Sequence, residues 1–271
     1  MYCDFKKIYE MKHFCYTLFA LAVTLQSCRN ASVSPVTATS SDSAAVDTTA
    51  FVTKNVPFSG DFSCITNMSS CRVEVTEGPC NIVYVGPEEL YPSLKASVDC
   101  GVLVTSLGTE RNYDTHVFHA ARESVRLLIS CPRLRILAHC GAGRLVCKGS
   151  IHADDLQVGT LGDGTLCFDS VYCNSMRFDI NSASTTSFDY VESRKNIDII
   201  SSHSGTLCAN VNVGGQLLVD DIVDSDISLT GSTHTLSINA TGGGNISYTG
   251  SYEAKDIYAS PKASVSVVAK P

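Results

Sequence analysis

The sequence predicts an all-β fold of the β-solenoid, or parallel β-helix-like, class. The tetrapeptide GTLC occurs at Gly164–Cys167 and again at Gly205–Cys208, 41 residues later, and apolar residues recur in two series with a period near 20 residues. Such a period is typical of repeats that stack to share one core. The composition agrees, because the chain has 19 Gly, no Trp and only 17% charged residues, which suits strands and turns better than helices.

A secretory signal is predicted at the start of the chain. The polar residues Lys12 and His13 precede an apolar run of twelve residues, Phe14–Leu25, which is too short to span a bilayer but suits the core of a signal peptide. The following LQSC, Leu25–Cys28, resembles the lipobox of bacterial lipoproteins. We therefore expect residues 1–28 to be a lipoprotein signal, with Met11 as an alternative start. An ordinary signal peptide cut nearby is the other interpretation.

The predicted anchor determines the expected location. Acylation of Cys28 would hold the protein at a membrane without an inserted helix. We expect a lipid-anchored protein of the cell envelope, at the outer membrane, facing either the periplasm or the exterior. Residues 29–57 are rich in Ser, Thr and Ala and have no periodic apolar face. They are expected to form a disordered tether.

Residues 58–130 are predicted to form an N-terminal β region that caps the solenoid, since the open end of a solenoid needs a cap. RVEV (72–75) and NIVYV (81–85), joined by EGP (77–79), predict a β-hairpin. The other predicted elements are strands in VDCGVLV (98–104) and VRLLI (125–129) and a loop in RNYDTHVFHAARES (111–124).

Residues 131–271 are predicted to form the solenoid coils, each with two short strands and two turns. The first apolar series is Leu145, Leu166, Phe188, Leu207, Ile227 and Ile246. The second series consists of the triplets LRI (134–136), LQV (156–158), MRF (176–178), IDI (197–199), LLV (217–219) and LSI (236–238). The apolar-polar-apolar triplets indicate strands with one face inward. Leu134 and Ile136, like Ile197 and Ile199, should therefore face the core, while Arg135 and Asp198 face solvent.

The register also predicts where two cysteines lie. Cys167 and Cys208 should point outward on one face, with Asp189 at the same position of the coil between them. Stacked strands are about 4.8 Å apart, so two coils separate the thiols by about 9.6 Å. A disulfide needs Cα atoms within about 6.8 Å of each other. We expect no bond between Cys167 and Cys208.

These residues resemble a known family. The VEVTEG segment, then CPRLRILAHCGAGRLVCKGSI (131–151) and the repeated coils with GDG, HSG and GGG turns, are similar to the putative auto-transporter adhesin, head GIN domain family over roughly residues 58–250. The resemblance implies a secreted or lipid-anchored β-solenoid of a Gram-negative bacterium with an adhesive role. It implies no catalytic residue. Its departures here are the many cysteines and the loss of glycines in the turn at 182–186.

The cysteines and histidines give no clear metal site. Ten of the 13 cysteines lie beyond the signal, in a compartment that permits disulfides, and no C-x-x-C motif occurs. Most are interpreted as small apolar fillers or outward thiols, and a bridge between Cys64 and Cys71 stays open. His152, His203 and His234 are expected at solvated turns. No metal site and no cofactor are predicted.

The acidic segment DDIVDSD (220–226) contains four aspartates. Acidic corners can supply the oxygen ligands that Ca²⁺ needs, but the spacing of an EF-hand and of the calcium-binding nonapeptide are both absent. A solvated acidic corner is the favoured interpretation, with calcium binding left open.

Function is predicted as binding or structure rather than catalysis. A net charge of −7 without a basic patch argues against nucleic acid. The expected partners are a membrane, through the lipid anchor, and a protein or glycan ligand of unknown identity. The alternative is a carbohydrate-active enzyme, a lyase or hydrolase, with Asp154, Asp155, Asp169 and Asp179 in a cleft. A deep groove with paired acids and a basic residue would favour the enzyme.

Overall fold

The computed structural model describes residues 50–108 and 123–270. They form strands that belong to one sheet, with a short 3₁₀ helix at Glu88–Ser93. The strands are β1 (Phe51–Asn55), β2 (Cys64–Asn67), β3 (Arg72–Glu77), β4 (Asn81–Pro87), β5 (Leu94–Asp99), β6 (Val102–Leu107), β7 (Arg126–Cys131), β8 (Ile136–His139), β9 (Arg144–Thr160), β10 (Thr165–Ile180), β11 (Thr185–Ser201), β12 (Thr206–Asp221), β13 (Asp226–Ala240), β14 (Asn245–Ala259) and β15 (Ser264–Ala269).

The strands β9 to β15 pair in parallel, each with the next along the chain. They build a β-solenoid of about 7 turns with coils of about 20 residues, which confirms the predicted fold class. The expected two strands and two turns per coil are wrong, however. From β9 to β14 each coil is one strand of 15–17 residues. The strand bends without losing its ladder, because extra residues are accommodated as bulges, for example between Cys173 and Ser175.

Three inward-facing series of side chains, rather than two, fill the coils. Leu145, Leu166, Leu207 and Ile227 of the first predicted series are at most 1% exposed, which confirms that they face the core. The series of triplets is confirmed by its register. Met176 pairs with Leu156 and with Ile197, and Ile197 pairs with Leu217. The third series, which the sequence analysis missed, is Ile151, Val171, Val191 and Val211, and its members are directly paired from coil to coil.

One coil has a register that differs from the prediction. Leu166 pairs with Thr186, not with Phe188, and Phe188 pairs with Phe168. Ser187 therefore takes the position between Cys167 and Cys208 that was assigned to Asp189. A shift of two residues keeps the same side chains inward, so an alternating pattern cannot reveal it. The result is an aromatic stack in the core, with the rings of Phe168 and Phe188 4.5 Å apart.

The first predicted triplet, at residues 134–136, also differs from the prediction. Leu134 is buried as expected, but Ile136 is only half-buried. The inward residue is Leu137, which is fully buried and pairs with Val158 and Ile65. Strand alternation holds only within a strand, and β8 begins at Ile136, after Leu134.

The predicted hairpin of β3 and β4 is wrong. The strand β7 lies between them, antiparallel to β4 and parallel to β3. The Gly78 N–H donates to the carbonyl of Cys131 at 3.1 Å, so the EGP segment crosses the end of β7 instead of making a tight turn. On its other side β3 pairs in parallel with β9, which joins the N-terminal region to the solenoid.

The rest of the N-terminal region extends the stack at the start of the solenoid. The segment VDCGVLV is a hairpin of β5 and β6 and not one strand, with Cys100 and Gly101 at its turn, both at positive φ. The strand β2 pairs in parallel with β6 and with β8, so β6 continues the stack beyond β2. The strand predicted at 125–129 is confirmed as β7.

The coil corners require small residues because neighbouring backbones approach closely. A Cβ on Gly162 would lie 2.4 Å from the carbonyl oxygen of Gly141 in the coil below. Where the glycines are lost, serines replace them: Ser182 and Ser184 are both buried, and Ser182 Oγ donates to the Gly162 carbonyl at 2.9 Å. The departure from glycine at this turn therefore keeps the stack.

A buried polar cluster fills one corner near the N-terminal end. Asn67 and His139 are fully buried and directly paired in register. Asn67 Oδ1 accepts hydrogen bonds from Ser69 Oγ (2.6 Å) and Thr105 Oγ1 (3.1 Å), so its Nδ2 donates to His139 Nδ1 at 3.1 Å. His139 Nε2–H can then donate to the Gly143 carbonyl at 3.0 Å.

Several predicted features lie outside the described residues: the signal at 1–28 with Cys28, the tether at 29–49 and the loop up to residue 122. The strand β1 falls within residues 29–57, and it pairs with β4 from Phe51 to Asn55. The folded body therefore begins before Phe58. Among the described residues, no helix has the length and apolar character that crossing a bilayer requires.

Candidate ligand-binding groove

A groove of about 410 Å³ lies on the outer surface of β9, β10 and β11. Two outward columns of side chains line the groove. The first column is His152, Tyr172 and Glu192, and the second is Asp154, Asn174 and Arg194. Arg133 lies at one end of the groove, and Ala153 and Cys173 lie between the columns. Each column contributes one side chain per coil, so the groove crosses three coils.

The parallel register of the coils builds the first column. Tyr172 of β10 pairs with His152 of β9 and with Glu192 of β11. Because the three strands stack at about 4.8 Å, the column extends about 9.6 Å from its first to its last Cα. The second column follows from the same stacking, and Asn174 Nδ2 lies 3.5 Å from Asp154 Oδ1 in the preceding coil.

Aromatic rings follow one another along the first column. The His152 and Tyr172 rings are stacked, with centroids 5.2 Å apart and an interplanar angle of 14°. Tyr190, which neighbours this column on β11, has its ring 6.0 Å from that of Tyr172 and tilted by 59°. The rings provide apolar surface, and the Tyr190 hydroxyl donates to Glu192 Oε2 at 3.2 Å.

Charges of both signs surround the rings. His152 Nδ1 is 2.8 Å from Glu77 Oε2, and Arg133 is 3.7 Å from Asp154. Guanidinium groups donate hydrogen bonds and carboxylates accept them. A ligand that offers many hydroxyl groups can use both kinds of partner.

The cysteine at the base of the groove is unsuited to nucleophilic chemistry. Burial, with the charge of Asp155 as a smaller cause, raises the pKa of Cys173 to about 11. The thiol is therefore protonated at neutral pH, and the thiolate is the reactive form.

The four carboxylates considered for an enzyme cleft are not brought together. Asp154 lines the groove and faces Arg133, while Asp155 does not line it. Asp169 Oδ2 accepts the Gly149 N–H at 2.8 Å. Asp179 is buried and is held by the guanidinium of Arg177 at 2.8 Å.

The aspartates of segment 220–226 each have a separate partner inside the protein. Asp220 accepts from Asn239 at 2.9 Å, Asp224 from the Gly243 N–H at 2.7 Å and Asp226 from Asn245 at 2.8 Å. Asp221 is fully buried and accepts from Ser225 at 2.7 Å, so this residue is not part of a solvated corner. Within residues 50–108 and 123–270, no three His, Cys, Asp or Glu side chains form a group that could hold a metal ion.

Some of the histidines and cysteines lie where the sequence predicted them, and others do not. His203 lies in a turn, but His152 and His234 lie within β9 and β13. His234 is 2.9 Å from Glu253. Cys64 and Cys71 are both buried and no disulfide joins them, while Cys167 is half-buried and Cys208 is exposed, as expected of outward positions.

Sequence reasoning missed the groove, although a signal for it was present. His152, Tyr172 and Glu192 are spaced by 20 residues, as are Asp154, Asn174 and Arg194. The apolar residues with this period predict only the core series. Applied to the polar residues between them, the same period would have placed these side chains in two columns.

The coils and the groove define an all-β solenoid with an open surface site. Residues 61–189 match the family described as putative auto-transporter adhesin, head GIN domain. This part of the chain is therefore similar to that family, as the sequence resemblance indicated, and the match includes every residue that lines the groove except Glu192 and Arg194.

Solved structures with the same fold come from Bacteroides and Parabacteroides species. A putative adhesin from Bacteroides fragilis has a TM-score of 0.59 at 14% identity, covering 82% of this chain and 97% of its own. A putative adhesin from Parabacteroides distasonis has a TM-score of 0.61 at 16% identity, covering 82% and 98%. A putative lipid binding protein from the same species has a TM-score of 0.52 at 15% identity, covering 80% and 96%. No curated protein matches the chain.

Proposed function

We propose that this protein is a lipid-anchored adhesin of the cell envelope that binds a glycan in the groove of β9–β11. The family match and the adhesin structures with the same fold support an adhesive role at the cell envelope. The observation that supports a glycan as the ligand is the combination, in one groove, of aromatic rings with hydrogen-bond donors and acceptors of both charges.

The chemistry of a saccharide fits this lining. The C–H face of a sugar ring is apolar and packs against aromatic side chains such as Tyr172, while its hydroxyl groups donate and accept hydrogen bonds. Arg194 can donate to them and Asp154 can accept from them. The distance of about 9.6 Å across three coils accommodates a short oligosaccharide.

The anchor is the acylated Cys28, after removal of residues 1–27. Radioactive palmitate should label the full-length protein in cells, and inhibition of the lipoprotein signal peptidase should cause the precursor to accumulate. A Cys28→Ala variant should lose both responses. Persistent labelling of this variant would rule out Cys28 as the anchor.

Binding is favoured over sugar cleavage by the exposure of the acidic groups. A glycosidase needs a carboxylic acid held in an apolar pocket, so that it keeps its proton. The Asp154 side chain is 76% exposed and faces Arg133. Glu192 accepts from the Tyr190 hydroxyl and lies two coils away from Asp154 along the solenoid.

A glycan array probed with the chain lacking residues 1–28 tests the proposal. Once a ligand is found, Tyr172→Ala and Arg194→Ala should each weaken its binding at least about tenfold, equivalent to about 1.4 kcal/mol. Tyr258→Ala is the matched control, because Tyr258 is 60% exposed and lies outside the groove. Equal loss in the control, or none in the groove variants, would contradict the assignment, and new reducing ends in the bound glycan would favour the enzyme.

A further inference from the structure

Cys80 and Cys131 stand opposite each other at the end of an antiparallel strand pair. The ladder of β4 and β7 runs from Val85–Arg126 to Asn81–Ser130. One further step in this register places Cys80 opposite Cys131. The same face carries Ile82 and Ile129, which are register partners buried in the core.

The backbone hydrogen bonds show that Cys80 and Cys131 are opposite residues of the non-hydrogen-bonded kind. The carbonyl of Cys131 accepts the Gly78 N–H, so it points toward β3 and away from β4. Directly opposite residues that do not exchange backbone hydrogen bonds have Cα atoms about 4.5 Å apart, with their side chains close together. Disulfides span Cα distances of about 4.4–6.8 Å. The position therefore suits a cross-strand disulfide.

Both thiols are free in the structure, and burial with the nearby thiols of Cys80 and Cys64 raises the pKa of Cys131 to about 12. Cys131 is 1% exposed, whereas Cys80 packs at the edge of the core with its Sγ 3.5 Å from the backbone nitrogen and oxygen of Phe62. A thiol forms only weak hydrogen bonds. Rotation about the Cα–Cβ bond of Cys80 can therefore turn its sulfur toward Cys131 at little cost.

We propose that Cys80 and Cys131 form a disulfide when the chain folds in an oxidising compartment. The two thiols lose two protons and two electrons, and the electrons reduce the disulfide of an oxidant, such as oxidised glutathione or a thiol–disulfide oxidoreductase, to two thiols. The bond forms during folding, because the buried, protonated thiol of the folded state reacts slowly. Its formation in the cell depends on the envelope location proposed above, but its formation from purified protein does not.

Tryptic peptides distinguish this bond from its competitors. Cys80 alone lies in the peptide 73–95, Cys131 alone in 127–133, and Cys64 with Cys71 in 55–72. The chain lacking residues 1–28 is unfolded, reduced, and refolded with reduced and oxidised glutathione, and free thiols are then alkylated. Mass spectrometry without reduction should find peptides 73–95 and 127–133 joined, at the summed mass less two hydrogens.

Other outcomes overturn the proposal. One such outcome is peptide 55–72 joined to peptide 73–95 or to peptide 127–133. Another is that Cys80 and Cys131 are both alkylated although the refolded protein has the native circular dichroism spectrum. Dithiothreitol should lower the Tm of the refolded protein by about 5–15 °C. A Cys80→Ala variant should lack this response, and Cys208→Ser, which removes an exposed thiol, should keep it. Mapping of the unaltered chain stays decisive if a variant fails to fold.

Discussion

The carboxylate of Glu74 lies 2.7 Å from the ammonium group of Lys148, and thereby links β3 to β9 where the N-terminal region joins the solenoid. Arg72 and Arg126 lie 3.0 and 3.2 Å from the same carboxylate, which is 7% exposed. Burial opposes ionisation, but the hydrogen bond from Lys148 and the three positive charges lower the pKa of Glu74 below its usual value of 4.5.

Glu74→Gln should lower the free energy of unfolding by about 1–3 kcal/mol, because it leaves charged donors without their acceptor. Urea unfolding at pH 7 measures the change. Glu88→Gln is the control, since Glu88 pairs with Lys54 but is 58% exposed, and exposed pairs contribute at most about 1 kcal/mol. The contribution of Glu74 is present above pH 4.5 and should be lost as the pH falls through its lowered pKa. Equal losses of unfolding free energy in the two variants would show that the buried Glu74 carboxylate contributes no more to stability than an exposed ion pair does.

The buried His139 should make stability fall in mildly acidic solution. Burial lowers its pKa below 6.5, more than the carbonyl of Gly143 raises it. Below pH 6.5 the unfolded chain takes up a proton that the folded protein does not, so stability decreases as the pH falls toward the folded-state pKa. Protonation would also turn a donor on Nδ1 toward the Asn67 amide, which already donates there.

A series of unfolding curves between pH 5 and 8 tests this expectation. The difference between the unaltered protein and His139→Gln should change by up to about 1.4 kcal/mol per pH unit below pH 6.5 and be constant above it. A difference independent of pH would mean that His139 does not titrate differently in the two states.

The buried Asp221 should cost stability at neutral pH. Burial raises its pKa above 3.8 despite the hydrogen bonds from Ser225. The folded protein then binds a proton more tightly than the unfolded chain, so stability decreases as the pH rises through this window. Asp221→Asn keeps an acceptor for Ser225 and removes the charge, and should raise the free energy of unfolding at pH 7 by about 1 kcal/mol.

The exposed Asp226, which accepts from Asn245, provides the matched control. Asp226→Asn should change stability by less than about 0.5 kcal/mol. If Asp221→Asn destabilises the protein at pH 7, interactions in the folded protein stabilise the charged carboxylate more than burial disfavours it.

The corner glycine Gly162 should not tolerate a side chain. Gly162→Ala places a Cβ 2.4 Å from the Gly141 carbonyl oxygen and 2.5 Å from that of Cys140, so the coils must separate. We expect a loss of about 1–3 kcal/mol in thermal or urea unfolding. Gly108→Ala is the control, since the nearest atom would be 3.8 Å away. A Gly162→Ala variant as stable as this control would mean that the coils are more widely spaced at this corner.

Much of the solenoid was predictable because it repeats. The 41-residue offset of GTLC and the buried leucines Leu145, Leu166 and Leu207 follow from one period, and the period requires only that each coil be covered by the next. Where the chain does not repeat, local patterns were insufficient. The segments of β3 and β4 have the alternation of a hairpin, but β7, about 50 residues later in the sequence, pairs between them.

The sequence by itself determined the fold class, the coil length and two of the three inward series of side chains, since burying apolar side chains at a fixed spacing leaves few other solutions. Only the tertiary structure decided the register of the coil at Thr186, because a shift of two residues keeps the same side chains inward. It also showed that the two columns line a groove, where the stacking of three coils brings His152, Tyr172 and Glu192 together. Such outward side chains bury little surface, and no hydrophobic pattern records their positions.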